Sequence, residues 1–367
     1  MVAIPRTMKA VLLTGHGDLD KLVYREDVPV PQPAAGEVLV EISACGMNNT
    51  DVWVRQAAYG TDEDPAAPSS WRRGGNTLTF PRIQGTDSAG RIAAVGTGVP
   101  KERIGERVMV DFSIYNAEDD HLADIDYFGH GRDGGYAEYQ VVPAENAHVV
   151  KTAMSDAELA TFCCAYLTGE HMLDRARVAA GERVLISGAS GGVGSGLVQL
   201  CRARGAVPYA VVGPGKESAV REIGAEAVIT RGPNLVSDVR DALGGKPLDV
   251  VADLVAGPLF NDLLRLLKPE GRYTTAGAIG GPVVQLDLRT LYLKHLEMHG
   301  SSQGTRGAFR RLVSYIEADR IKAILAGTYK LSDFHRAQRD FMSKGFVGKL
   351  VVVPDAKWEA FGKATAR

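Results

Sequence analysis

Residues 183–196 read RVLISGASGGVGSG, and this stretch decides the fold of the second half of the chain. Its short apolar run predicts a buried strand, and a glycine-rich turn then leads into the helical pattern LVQLCRARG. Gly191 and Gly194 occupy the second and third glycine places of a strand–turn–helix fingerprint, and Ala189 occupies the first. At the second place the backbone can approach a pyrophosphate, and at the third the helix packs closely on the strand.

The turn therefore predicts a dinucleotide site, because the helix that follows it offers free N–H groups to phosphate oxygens. The residues assigned to this site are Ala189, Ser190, Gly191, Gly192, Val193 and Gly194. A purely structural turn is the alternative interpretation.

Strands and helices alternate on both sides of this turn, from Ser155 to the segment LEMHGSS at residues 296–302. Near-continuous apolar strands separated by helices are typical of a doubly wound parallel sheet that is covered on both faces. The first ~150 residues instead contain β-branched runs broken by Gly and Pro, which predict an antiparallel, partly barrel-like β domain. Residues 57–79 and 115–135 are polar and irregular, and we interpret both as loops.

Composition limits the classes of function. The 367 residues are 45% hydrophobic and 23% charged, which is enough apolar material for two packed domains. A formal net charge of −2 argues against general binding to nucleic acid or to a membrane surface. The four cysteines show no paired spacing, and the first residues lack signal-peptide architecture, so a reduced, cytoplasmic setting is expected.

The end of the second predicted strand, VVGPGKES at residues 211–218, bears on the kind of dinucleotide. An NAD site usually places Asp or Glu there to bind the ribose 2′-hydroxyl, and this strand end has none. Lys216 follows it, and Arg231 lies after the third strand. Both cations suit a 2′-phosphate, so we predict NADPH as the cofactor. Solvated surface cations are the alternative interpretation.

Several motifs in order along the chain resemble the medium-chain dehydrogenase/reductase superfamily. They are ASGGVG (189–194), GERVMV (105–110), DGGYAEY (133–139), LRTLYLKHLEMHGSS (288–302) and FVGKLVVVP (346–354). The resemblance covers nearly the whole chain and is greatest to the zinc-free members similar to quinone oxidoreductases.

This resemblance implies a GroES-like, β-rich catalytic domain built from both chain ends and an inserted Rossmann nucleotide-binding domain. The expected boundaries are 1–155 and 304–367 for the catalytic domain and 156–303 for the nucleotide-binding domain. It also implies a homodimer that pairs through the edge strand at 296–302. Three further residues are expected to bind the cofactor: Thr168, Gly213 and Lys349.

The segment CGMNNTD, residues 45–51, lies where zinc-dependent members carry a ligand cysteine. That place is taken here by Asn48. The matching place of the ligand histidine is Thr86, and only the third place, Cys164, retains a thiol. Because catalytic zinc needs three protein ligands plus water, we predict no metal site. Residues 112–135 also contain no cysteine, so the structural zinc lobe of such enzymes is not expected.

Three residues are candidate catalytic groups. Asn48 has an amide at a place where quinone-reductase-like members also carry Asn. Thr50 retains the proton-relay hydroxyl position of the zinc enzymes, and Tyr59 resembles a proton-delivering tyrosine of zinc-free enoyl reductases. Backbone capping by Asn48 and Thr50, and a loop aromatic at Tyr59, are the alternative interpretations.

These residues predict a zinc-independent, NADPH-dependent oxidoreductase that reduces quinones, α,β-unsaturated carbonyls or related carbonyls. Such acceptors are already electrophilic, so orientation and hydrogen bonding to the developing oxyanion suffice without a Lewis acid. An alcohol dehydrogenase acting on an activated alcohol or aldehyde is the first alternative. A non-catalytic NADPH-binding protein is the second. The expected partner is a small molecule, with no nucleic acid or membrane.

Overall fold

The computed structural model describes residues 4–59, 78–115, 122 and 125–361. The first part of the chain is β-rich, as predicted. Its strands are β1 (Thr7–Leu13), β2 (Leu22–Pro29), β3 (Glu37–Gly46), β4 (Arg82–Ile83), β5 (Asp87–Val95), β6 (Arg107–Val110), β7 (Ser113–Tyr115), β8 (Ile125–Tyr127), β9 (Tyr139–Pro143) and β10 (Ala147–Val149). Helix α1 (Asn49–Arg55) follows directly after β3.

The end of the chain returns to this β-rich domain. Two strands, β17 (Leu325–Lys330) and β18 (Lys349–Val353), join its main sheet in the order β10-β6-β5-β3-β18-β17, with β9 also paired to β3. Strand β18 runs antiparallel to β3, with Val351 opposite Gly46 and Val352 opposite Cys45. All five residues of β18 are buried, so this strand is part of the core. The β-rich domain is thus assembled from both chain ends.

The middle of the chain forms a parallel sheet. In the described residues its strands are β11 (Arg183–Ile186), β12 (Val207–Val212), β13 (Ala227–Thr230), β14 (Leu248–Asp253), β15 (Leu267–Thr275) and β16 (Glu297–Gly300). Their order is β13-β12-β11-β14-β15-β16. The chain order reverses between β11 and β14, and ligands of such sheets bind at the carboxyl ends of the strands at this point. The predicted doubly wound sheet is confirmed.

Helices cover the sheet and link the domains. They are α2 (Asp156–Leu159), α3 (Cys163–Arg175), α4 (Gly192–Ala203), α5 (Glu217–Ile223), α6 (Leu235–Leu243), α7 (Phe260–Leu266), α8 (Leu288–Leu293), α9 (Arg306–Glu317), α10 (Phe334–Ser343) and α11 (Trp358–Phe361). Within the described ranges, no helix has the length and apolar character needed to cross a bilayer.

Helices α2 and α3 are separated by a break, and α3 begins where the Cys164 N–H donates to Asp87. The structure differs from the sequence prediction in one of the two predicted loops. The segment 115–135, predicted as a loop, contains strand β8, which pairs with β7. The other predicted loop, 57–79, falls mostly outside the described residues.

Strand β16 lies at the edge of the parallel sheet, as predicted. Most of the exposed large hydrophobic side chains of the described residues lie beside it, between Ile279 and Met298. Among them Val283 is 91% exposed and Leu293 69% exposed. An open strand edge next to exposed apolar side chains favours association with another chain. We propose that a second copy covers this face and pairs β16 across a two-fold axis.

The charge-introducing substitution Leu293→Glu tests this proposal. The wild-type protein is expected to be a dimer at micromolar concentration, and Leu293→Glu is expected to shift it to monomer because a carboxylate would be buried without a partner. Light scattering gives the molar mass. Val149→Glu, which changes a half-exposed apolar residue of the other domain, serves as the control and should leave the dimer intact. A monomeric wild-type protein would contradict the proposal.

Candidate active site

Helix α1 begins at the carboxyl end of β3 and places Asn48 and Asp51 inside the protein. The Asp51 carboxylate accepts a hydrogen bond from the Asn48 backbone N–H at 2.9 Å and another from the Tyr136 hydroxyl at 2.6 Å. Burial raises the pKa of Asp51 to about 6, although both hydrogen bonds act against this rise. Asp51 therefore fixes the start of the helix.

The three residues at the zinc-ligand places of related enzymes are brought together. The Asn48 amide nitrogen donates to the Thr86 hydroxyl at 2.8 Å, and Thr86 hydrogen-bonds the Cys164 thiol. Burial, with the nearby Asp87 carboxylate, raises the pKa of Cys164 to about 12, so the thiol stays protonated at neutral pH. An amide, a hydroxyl and a single thiol stand where a catalytic zinc site needs three anionic or imidazole ligands.

Lys349, the first residue of β18, lies against this cluster and is only 3% exposed. Its Nζ atom donates to Asn48 Oδ1 at 2.5 Å and to the Met47 carbonyl at 2.7 Å, and it pairs with Asp87 Oδ2 at 2.7 Å. A divalent cation at Asn48 would lie next to this ammonium and be repelled by it. In the described part of the chain, no group of three or more His, Cys, Asp or Glu is arranged to hold a metal. The residues present do not fit zinc.

The Asn48 amide is fully engaged by these neighbours. Its nitrogen donates to Thr86 Oγ1 and to Asp87 Oδ2 at 3.0 Å, and its oxygen accepts from Lys349. An amide nitrogen has two hydrogens, so these two bonds occupy both. In this arrangement Asn48 positions Thr86 and Lys349.

A group of hydroxyls borders the cluster. Thr50 Oγ1 lies 3.0 Å from the Tyr127 hydroxyl, and it also hydrogen-bonds Tyr59. The ring of Tyr59 packs edge-on against Trp53, with 5.5 Å between ring centroids. Burial raises the pKa of Tyr59 and of Tyr127, so both phenols keep their protons and can donate hydrogen bonds. The structure thus brings Thr50 and Tyr59 together with a tyrosine that the sequence reasoning missed.

The glycine turn has the geometry of a phosphate cradle. Gly191 caps α4, and a Cβ on Gly194 would overlap the Gly188 carbonyl oxygen, so only glycine permits this close packing. A Cβ on Gly192 would lie 2.6 Å from the Lys349 side chain. The free N–H groups at the start of α4 and the open backbone fit the pyrophosphate of a dinucleotide.

Other predicted cofactor residues surround the turn. Ala189 is buried at the end of β11, and its N–H bonds the Val211 carbonyl at 3.0 Å. The Ser190 carbonyl accepts from the Gly348 N–H at 3.0 Å, which ties the turn to the start of β18. Thr168 lies on α3 and is 8% exposed, while Val193 and Gly213 are partly buried. The turn is therefore packed directly against the start of β18 and the side chain of Lys349.

Lys216 and Lys344 connect the end of β12 with the start of α1. Lys216 follows β12 and donates to the Lys344 carbonyl at 2.6 Å. Burial, and then the nearby charge of Arg231, lower the pKa of Lys216. The Lys344 ammonium in turn donates to Asn49 Oδ1 at 2.7 Å, and burial lowers its pKa to about 8. Glu217 accepts from the Thr230 hydroxyl at 2.7 Å.

Sequence reasoning missed Asp87, Tyr127 and Lys344. Asp87 follows Thr86, and only Thr86 matches a zinc-ligand place, so no motif indicated a role for Asp87. Tyr127 lay in a segment interpreted as a loop. Lys344 lies near the end of the chain, far in sequence from Lys216. The two residues are brought into contact only because the chain returns to the first domain.

Comparison with known protein families agrees with this architecture. Residues 34–152 match the family model of the alcohol dehydrogenase GroES-like domain, and residues 192–318 match that of the zinc-binding dehydrogenases. The second description names zinc, but the ligand places of this chain carry Asn48, Thr86 and Cys164.

Individual proteins are similar over almost the whole chain. A solved structure from Sinorhizobium meliloti, described as a candidate alcohol dehydrogenase, is 73% identical, with 97% of this chain and 99% of that one covered and a TM-score of 0.94. An NAD-dependent alcohol dehydrogenase of Sulfurisphaera tokodaii is 28% identical, covering 95% and 100% of the two chains. Rat quinone oxidoreductase is 26% identical, covering 95% and 98%. The chain belongs to the medium-chain dehydrogenase/reductase superfamily and is an oxidoreductase with a GroES-like domain and a nucleotide-binding dehydrogenase domain.

Proposed function

We propose that this oxidoreductase works without zinc and transfers hydride from NADPH to a quinone, an α,β-unsaturated carbonyl or a related carbonyl. The observation that carries the proposal is the hydrogen-bonded cluster of Asn48, Thr86 and Cys164, into which the Lys349 ammonium projects. A site without a Lewis acid is best suited to acceptors that are already electrophilic.

We expect the residues of the turn to hold the pyrophosphate, and Thr168 and Lys349 to take part in binding the cofactor. A bound nicotinamide supplies the hydride. The chain must therefore orient the acceptor beside it and stabilise the oxygen on which negative charge develops.

Tyr59 and Thr50 supply the hydrogen bonds that this step requires. Because burial raises the pKa of Tyr59, its phenol remains a proton donor at neutral pH. Its hydrogen bond to Thr50, which continues to Tyr127, allows the hydroxyls to reorient as the acceptor oxygen gains charge. Asn48 acts through Thr86 and Lys349, since its own amide hydrogens are engaged.

The metal content of the purified protein is the first test. We expect far less than one zinc per chain after dialysis, because a single thiol beside an ammonium does not supply the three ligands that zinc needs. Elemental analysis measures this content. About one zinc per chain, lost in Cys164→Ser, would contradict the proposal.

Activity is the second test. NADPH oxidation should be observed with members of a panel of quinones and enones, and Tyr59→Phe should lower kcat by about 10²-fold because proton donation to the acceptor is lost. The matched control is Tyr24→Phe, which removes a phenol that bonds Asp355 away from the site and should leave kcat unchanged. An unchanged kcat in Tyr59→Phe would remove the role assigned to this tyrosine.

The same panel discriminates the alternatives. The similarity to two proteins described as alcohol dehydrogenases favours oxidation of an activated alcohol as the second candidate function. Turnover of alcohols or aldehydes in preference to quinones and enones would support it. Tight NADPH binding without turnover of any panel member would instead support a non-catalytic NADPH-binding protein.

The choice of NADPH rests on the end of β12. No carboxylate follows Val212 at the place where NAD sites bind the 2′-hydroxyl. Lys216 and Arg231 lie close together there, and Glu217 is held by Thr230 and by backbone N–H groups at the start of α5. Lys216 uses one of its three donors on the Lys344 carbonyl, which leaves others for a phosphate.

Dissociation constants for NADPH and NADH test this preference. Two charged hydrogen bonds, each contributing ~1.5–3 kcal/mol, favour NADPH by about 10²-fold or more. Lys216→Ala and Arg231→Ala should each reduce the preference, whereas Arg221→Ala, on the exposed surface of α5, should not. Equal affinities in the wild-type protein would show that NADPH is not the preferred cofactor.

A further inference from the structure

The ring of Tyr127 is held between two aromatic side chains, Phe112 and His130. The His130 imidazole stacks on the phenol ring, with 5.2 Å between the ring centroids and 24° between the ring planes. Phe112 packs edge-on against the same phenol, with 6.3 Å between centroids. All three side chains are buried, so this packing restricts rotation of the phenol whose hydroxyl lies 3.0 Å from Thr50 Oγ1.

A carboxylate fixes the imidazole over the phenol. Asp126 Oδ1 lies 2.9 Å from His130 Nδ1, and it also accepts a hydrogen bond from the Tyr127 backbone N–H at 2.7 Å. An ionised carboxylate only accepts hydrogen bonds, so Nδ1 carries a hydrogen and donates it to Asp126. One oxygen atom therefore orients both residues of the stack.

The local chain builds a tight turn around this carboxylate. The N–H groups of His130 and Gly131 donate to the Tyr127 carbonyl at 3.2 and 3.1 Å. A Cβ on Gly131 would lie 2.1 Å from Asp126 Oδ2, and Gly129 has a φ angle of +94°. Glycine at both positions allows the chain to turn back and place His130 over the phenol.

We propose that His130, held by Asp126, is a positioning residue for the Tyr127 hydroxyl, an inference that rests on the proposed function. In that function the O–H bond of Tyr59 breaks as an O–H bond forms on the acceptor oxygen, and Tyr59 then regains a proton from Thr50. The Thr50 hydroxyl has a single hydrogen, so it takes another from the Tyr127 hydroxyl, which takes its own from water. A phenol turned away from Thr50 would interrupt this transfer, and Tyr59 would regain its proton more slowly.

The test is a double-mutant cycle on kcat, measured with the quinone or enone that the wild-type protein reduces fastest. His130→Ala and Tyr127→Phe should each lower kcat about 10-fold and leave the dissociation constant for NADPH unchanged. The double variant should lose no more than Tyr127→Phe alone, because His130 acts through the phenol. In both single variants the solvent isotope effect on kcat should increase, since proton transfer is the slowed step.

Controls separate a positioning role from a structural one. His148→Ala removes another histidine that packs on an aromatic ring, 4.7 Å from Phe309 between centroids, and should leave kcat unchanged. His130→Leu fills the space without a flat ring, and it gives the same cycle if His130→Ala does not fold.

Three results would overturn the inference alone: an unchanged kcat in the His130 variants or in Tyr127→Phe, losses that multiply in the double variant, or a loss of NADPH affinity equal to the loss in kcat. A wild-type protein that reduces no member of the panel overturns the proposed function, and the inference with it.

Discussion

The buried ion pair between Lys349 and Asp87 connects the parts of this site. Its atoms are 2.7 Å apart, and the two side chains are 4% and 0% exposed. Removing one partner of such a pair is strongly destabilising, because the other charge is left uncompensated in the interior. The Met47 carbonyl and Asn48 Oδ1 satisfy the remaining donors of the ammonium. Lys349 is the first residue of β18, and Asp87 is the first residue of β5. The ion pair therefore holds the C-terminal strand β18 next to the junction between β3 and α1.

The same lysine connects the cluster of Asn48, Thr86 and Cys164 with the nucleotide-binding turn. Its stem lies 2.6 Å from the position that a Cβ of Gly192 would take, and the preceding residue, Gly348, donates to the Ser190 carbonyl. A side chain at position 192 would therefore displace Lys349. This displacement would weaken the hydrogen bond between Lys349 and Asn48. The cluster around Asn48 and the glycine turn come from different domains. The start of β18 contacts both and so fixes their relative position.

The buried carboxylates of the site are stabilised without a metal. The carboxylates of Asp51 and Asp87 are buried within one cluster, which would be unfavourable in a low dielectric unless positive charge or hydrogen-bond donors were close. Lys349 supplies the charge for Asp87, and the Tyr136 hydroxyl and a backbone N–H stabilise Asp51. A zinc ion would add positive charge where the ammonium already compensates the carboxylates. Asn48, Thr86 and Cys164, which occupy the zinc-ligand places, are thus suited to a site that contains an ammonium and no metal.

The sequence by itself determined the two-domain architecture, the strand–turn–helix at Gly191 and the three former ligand places, because local spacing and the order of motifs carry that information. It did not show that Asn48 is fully hydrogen-bonded, since its partner Lys349 lies 301 residues away along the chain. It also did not reveal Tyr127, which a polar segment contributes to the site. Only the tertiary structure decided these points, because the hydrogen bonds and burial involved join segments that are distant in sequence.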